Sequence, residues 1–208
     1  MTNSTIDLKE AFLHLIYDYR YLATAGYAWQ TVGPSGSQED QTKANELVPE
    51  IGSLVQDSLL AHARSLIDFY TKTNGRDTDI LLANFNSSGY TLSLSRALQT
   101  QIESSKHSIE VQALHLTSWR DVNYRTANAT TTAGLTRGRP DWNIENQKLV
   151  QALLDSLEEI SKITGAWQKP FTELYSAAQN RLADGKFDWP NHLTEKQDVT
   201  NYLTGLGL

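Results

Sequence analysis

Apolar residues recurring three and four positions apart, over segments much longer than a strand, are the feature that most limits what this chain can fold into. Val55, Leu59, His62, Leu66 and Phe69 fall four, three, four and three apart. Leu60, Ala63, Ile67 and Tyr70 widen that stripe. A strand would alternate with a period of two, whereas this period matches one face of an α-helix. The pattern predicts a helix with much of its circumference covered, hence a central one, with Pro49 in its first turn. Gly75, in "TNGRD", is the expected left-handed terminator.

The same spacing repeats elsewhere. Leu8, Phe12, Leu15, Ile16, Tyr19 and Leu22 predict a helix to about Trp29, entered through a capping-box-like "STID" at Ser4. "TVGPSGSQED" breaks it. "DILLANFNSSGY" reads as one helical turn or an ordered loop. Leu94, Leu98, Ile102, Ile109, Ala113 and Leu116 predict a third long helix from Thr91 or Leu92 to near Trp119, with a break expected at the polar "ESSKHS". Ile144, Leu149, Leu153, Leu157 and Ile160 predict a fourth, capped by Asp141 or Asn143 and ended by Gly165. Pro170 opens a fifth, carrying Phe171, Leu174, Tyr175, Ala178 and Leu182 and closed by Gly185. A last helical turn is expected between Thr194 and Leu203. No segment alternates like a strand. Apolar stripes on isolated helices are marginal in water, so they must bury against one another. The expectation is an all-α bundle of about five main helices forming a single domain over 1–208, its tail, 186–208, peripheral. A long loop over 121–140, rich in Thr, Ala, Gly and Arg, interrupts it.

Composition narrows the function classes. The net charge of −6 argues against a large non-specific nucleic-acid surface. The chain has no cysteine, which excludes disulfides, thiolate chemistry and Cys-based zinc sites. "MTNSTIDLKE" does not read as a signal peptide, and no run of about 18 apolar residues suggests a membrane span, so a cytoplasmic location is expected. Sequons at Asn3, Asn86 and Asn128 then read as chance matches.

The sequence holds no phosphate-binding glycine motif, no H-E-x-x-H and no G-x-S-x-G elbow. Glu103 and His107 could form two metal ligands four apart, but a solvated helix face accounts for them, and no metal or cofactor is expected. His62 reads as a core histidine held by one hydrogen bond. Arg64 lies on another face, four residues before Asp68, and reads as half of a helical ion pair. His115 and Arg120 are about 140° apart on an ideal helix and meet only with help from another element. Thr117 and Arg120 are genuine neighbours. In an RNA-cleaving site a histidine would move protons near neutral pH and arginine would stabilise phosphate charge. Arg125, Arg137 and Arg139 make the long loop locally basic and are the candidate RNA-binding residues.

"LLAHARSLIDFY", followed by "IEVQALHLTSWR" and "DWNIENQKLVQALLDSLEEI", resembles a group of bacterial helical proteins. In that group an "HARNLIDFF"-like helix precedes an "INKHLAHLT..R"-like helix and a final helix opened by Trp. The group is similar in turn to the HEPN superfamily of α-helical bundles, some of which are ribonucleases of toxin or defence systems and others binding modules. The resemblance spans roughly residues 55 to 162. It implies a HEPN-like bundle that pairs as a dimer. Carried over by position, it marks His62, Arg64, His115, Thr117 and Arg120, with Gln112 where the group usually has histidine. HEPN nucleases place a histidine four to six residues after an arginine, and no arginine here has one. The leading expectation is therefore a non-catalytic interaction or scaffold protein, a homo-oligomer or partner of another protein, with His62, Gln112 and Thr117 as structural polar residues. The alternative is a metal-independent ribonuclease or RNA-binding protein working through His115, Arg120 and Arg64.

Overall fold

A computed structural model describes residues 7–75, 79–86, 91–109, 142–163, 165–186 and 196–208, the side chains of 107, 108, 142–145 and 196 aside. Seven α-helices and one 3-10 turn make up these residues, with no strand among them. The fold class is all-α, as the spacing predicts.

Helix α1 runs Leu8–Val32. Its cap is Asp7, whose carboxylate accepts the backbone N–H of Lys9 at 2.9 Å and of Glu10 at 3.4 Å. This corrects the expected start at Ser4, since Asp7 itself caps two of the free N–H groups of the first turn. Helix α2, Gln38–Leu47, lies where only a break was expected. Ser37 caps it, and none of its residues is buried, so apolar spacing gives no signal for it. Helix α3 is Ile51–Thr71. Pro49 does not enter its first turn. It sits instead in a tight turn closed by Ile51 N–H on Val48 C=O at 3.2 Å, with Glu50 at φ 60°. A proline followed by a positive φ is the pattern of a type II turn, which reverses the chain between α2 and α3. Gly75 is not left-handed either. The helix closes earlier, with Lys72 N–H on Asp68 C=O and the chain leaving extended.

Of the two readings of "DILLANFNSSGY", Leu82–Phe85 forms the single helical turn. Asn84 Oδ1 accepts Leu81 N–H at 2.6 Å, and Asn86 Oδ1 accepts Leu92 N–H at 2.6 Å, fixing both flanks. Helix α4, Arg96–Ile109, starts later than predicted and runs through "ESSKHS" without a break. Ile102 and Ile109, seven apart and both buried, hold its inner face while Glu103 and Ser104 are exposed. Helix α5 spans Trp142–Ser161, which puts Asn143 inside the helix rather than at its cap. Helix α6 is Gln168–Asp184, with Pro170 buried in its first turn. Gly185 ends it at φ 78°, and a Cβ there would come within 2.9 Å of the Tyr27 ring, so both backbone and space require glycine. Helix α7, Lys196–Gly205, buries Val199 and Leu203 in the core, and Lys9 Nζ donates to Thr204 Oγ1 at 2.8 Å across to α1.

Helix α1 packs against α2, α3, α5, α6 and α7, and α3 against α1, α2, α4 and α5. Two features lock this arrangement. Tyr19 of α1 donates its hydroxyl hydrogen to the Leu153 carbonyl of α5 at 3.0 Å and accepts from Tyr70 of α3, joining three helices in the interior. Burial raises both phenols well above their ordinary pKa, so both keep their hydrogens. Aromatic rings from four segments fill the end of the core, with Phe85 between Phe12, Phe69, Trp167 and Phe171. No helix among the described residues is long and apolar enough to cross a membrane.

Candidate functional site

The polar residues singled out in α3 lie on two different faces, as their spacing requires. His62 faces α1. Its Nδ1 donates to Asp18 Oδ1 at 2.8 Å, and both side chains are mostly buried. Ser65, three residues on and therefore on the same face, donates its hydroxyl to Asp18 Oδ2 at 2.7 Å. One carboxylate thus receives a bond on each oxygen and ties α1 to α3. Tyr21 stacks on the His62 ring at 5.1 Å and 19°, and Tyr17 meets it edge-on at 5.6 Å. The two tyrosines, one helical turn apart, also touch each other at 4.4 Å between ring centres. The neighbouring Tyr21 phenol raises the pKa of Tyr17, with partial desolvation adding to it.

Arg64 faces α4. It pairs with Asp68 of its own helix, the ion pair its spacing predicts. Asp68 also receives Lys72 Nζ at 3.0 Å and Lys106 Nζ of α4 at 3.0 Å. Burial pushes the Asp68 carboxyl up, but the hydrogen bonds of Arg64, Lys106 and Lys72 outweigh it and hold the group below the ordinary carboxylate range. Lys72 reaches on to Asp79 at 3.5 Å. A groove of about 460 Å³ runs between the two clusters, lined by Asp18, Ser65, Asp68, Lys72 and Asp79 among others.

The chemistry open to this arrangement follows from its connectivity. In a serine hydrolase the histidine stands between serine and acid, so that it can take the hydroxyl proton. Here the acid stands between them: Ser65 bonds to Asp18 and not to His62. The serine is held as a donor and is not activated. Arg64 spends its charge on Asp68. Both clusters join helices, one α1 to α3 and the other α3 to α4.

Of the residues the sequence marks, the structure places His62 and Arg64. It puts them on opposite sides of α3. Gln112, His115, Thr117, Arg120, Arg125, Arg137 and Arg139 lie outside the described residues, as does the loop 121–140. No group of three or more His, Asp or Glu side chains among the described residues could hold a metal ion. Sequence reasoning missed Asp18, Ser65, Tyr17 and Tyr21. The signal was there in "YDYRY", residues 17–21, where aromatic and charged residues alternate on what is otherwise an amphipathic helix. Comparison of the chain with family models, curated proteins and solved structures gave no match.

Proposed function

We propose that the chain is a HEPN-like helical bundle of the cytoplasm that acts as a non-catalytic interaction or scaffold protein, pairing with a second copy of itself. The observation that carries this reading is the corner between α2 and α3. Leu47, the last residue of α2, is 85% exposed, Val48 in the turn after it is 43% exposed, and Leu54 near the start of α3 is 55% exposed. Large apolar side chains gathered in one exposed place mark contact surfaces more often than chance decoration. Pairing about a two-fold axis lets one such patch cover its own copy. The bonding of His62 and Arg64 supports the non-catalytic half of the reading, because each is committed to a helix-joining carboxylate.

Sedimentation equilibrium of the native chain and of the double variant Leu47→Lys, Leu54→Glu tests this. The expected result is a dimer at micromolar concentration that becomes monomeric in the variant while its thermal melt is nearly unchanged, since neither side chain is part of the core. A native chain that sediments as a monomer throughout, or a variant that stays dimeric, contradicts the pairing surface.

A further inference from the structure

Burying an amide without partners is costly. An unpaired buried donor or acceptor gives up its hydration with nothing in return. Asn146, on α5, is 1% exposed, and neither its Oδ1 nor its Nδ2 has a hydrogen-bond partner among the described residues. Such a group calls for an explanation. Asn146 lines a half-open pocket of about 220 Å³ between α1, α3, α5 and α6. Trp29 lines the same cavity, and its indole N–H is also buried without a partner among the described residues. The rest of the lining is largely apolar, from Leu59, Val150 and Leu182, with glutamines toward the outside. Gly26 forms part of the α1 wall, where a Cβ would come within 3.0 Å of Leu182 Cδ1 and 3.4 Å of Val150 Cγ1. The wall is therefore as thin as a backbone can make it.

An apolar enclosure with a few convergent polar groups is the usual form of a small-molecule site. The volume exceeds the roughly 150 Å³ at which an engineered apolar cavity takes up benzene. The polar groups define what fits. A carboxamide side chain presents one acceptor beside two donors. Its complement is an N–H next to a C=O on one edge of a ring. The indole N–H asks for a further acceptor. We propose that this cavity binds a small planar cyclic amide or imide of pyrimidine-base size, its N–H to Asn146 Oδ1, one C=O to Asn146 Nδ2 and the other to Trp29 Nε1. The flat ring lies against Val150, Leu182 and the Trp29 side chain.

The test uses uracil as the probe and toluene as an apolar control, each titrated into the native full-length chain by ligand-detected NMR and thermal shift. Native protein is expected to bind uracil saturably. Asn146→Leu, which replaces the orphaned amide by a hydrocarbon of similar size, is expected to weaken uracil by about tenfold or more, the worth of two hydrogen bonds. Its affinity for toluene should hold or rise, and its apparent stability without ligand should not fall. Should Asn146→Leu not melt cooperatively, Gly26→Ala, which narrows the wall without touching the amide, is expected to weaken both probes. No saturable uracil binding to native protein overturns the proposal. Equal uracil affinity in the native and Asn146→Leu chains overturns it too, and so does tighter binding of toluene than of uracil by the native chain.

Discussion

Replacing Phe85 by alanine is expected to destabilise the protein by about 3–5 kcal/mol. The 3-10 turn that carries it has only four residues and no helical stripe of its own, yet Phe85 is fully buried. Its ring stands edge-on to Trp167 at 4.9 Å and to Phe171 at 5.6 Å, and it meets Phe12 at 6.3 Å and Phe69 at 6.0 Å. Edge-to-face pairs add to the gain from burial alone. The neighbours are also packed on each other, Phe12 at 5.4 Å from Trp167 and 5.5 Å from Phe171, so they have little freedom to close over the space left behind. The residual cavity is what takes the cost above simple transfer from water. The loop would also lose its anchor between α3 and α4. Urea unfolding followed by circular dichroism measures the effect. A loss below about 1 kcal/mol would show that the turn merely covers the bundle and does not complete its core.

The second large effect is expected for Leu66→Ala, at about 2–5 kcal/mol by the same measurement. Leu66 is fully buried in the middle of α3, the helix that α1, α2, α4 and α5 all touch. Helices on several sides cannot all move inward by the volume of three carbon atoms without losing contacts elsewhere. A loss well under 1 kcal/mol would place α3 at the edge of the bundle and contradict the packing described above.

These two residues also show how far the fold was legible. Leu66 could be read from the spacing of its neighbours, because burial against other helices imposes a period near 3.6 and the sequence has to carry it. The helices α1, α3, α5 and α6 and the left-handed Gly185 follow from that rule and from turn chemistry. Phe85 could not be ranked in the same way. Its burial depends on a short loop folding over the end of the core, and four residues are too few to show a period. Helix α2 was illegible for the opposite reason, since a helix that buries nothing leaves no apolar pattern. Pro49 and Gly75 were misplaced because each has more than one use: Pro49 serves a turn before the helix, and Gly75 a close approach to Asp79 after it, where a Cβ would come within 2.7 Å of the Asp79 Cβ.

The candidate site was legible by halves. His62 and Arg64 could be assigned to different faces of α3, and the partner of Arg64 was four residues away in the sequence. The partner of His62 is Asp18, forty-four positions earlier. No spacing rule links residues that meet only because two helices pack. The same limit hid the cavity at Asn146. A polar residue beside an apolar stripe reads as surface until the neighbouring helix is seen to cover it.

If the polar residues of this chain fasten helices and do not cut nucleic acid, the protein has no ribonuclease activity. The most direct measurement is incubation of purified native chain with end-labelled single-stranded RNA in EDTA, beside His115→Ala. Intact RNA is expected with both proteins over hours at neutral pH. Cleavage by the native chain that disappears in His115→Ala would contradict it.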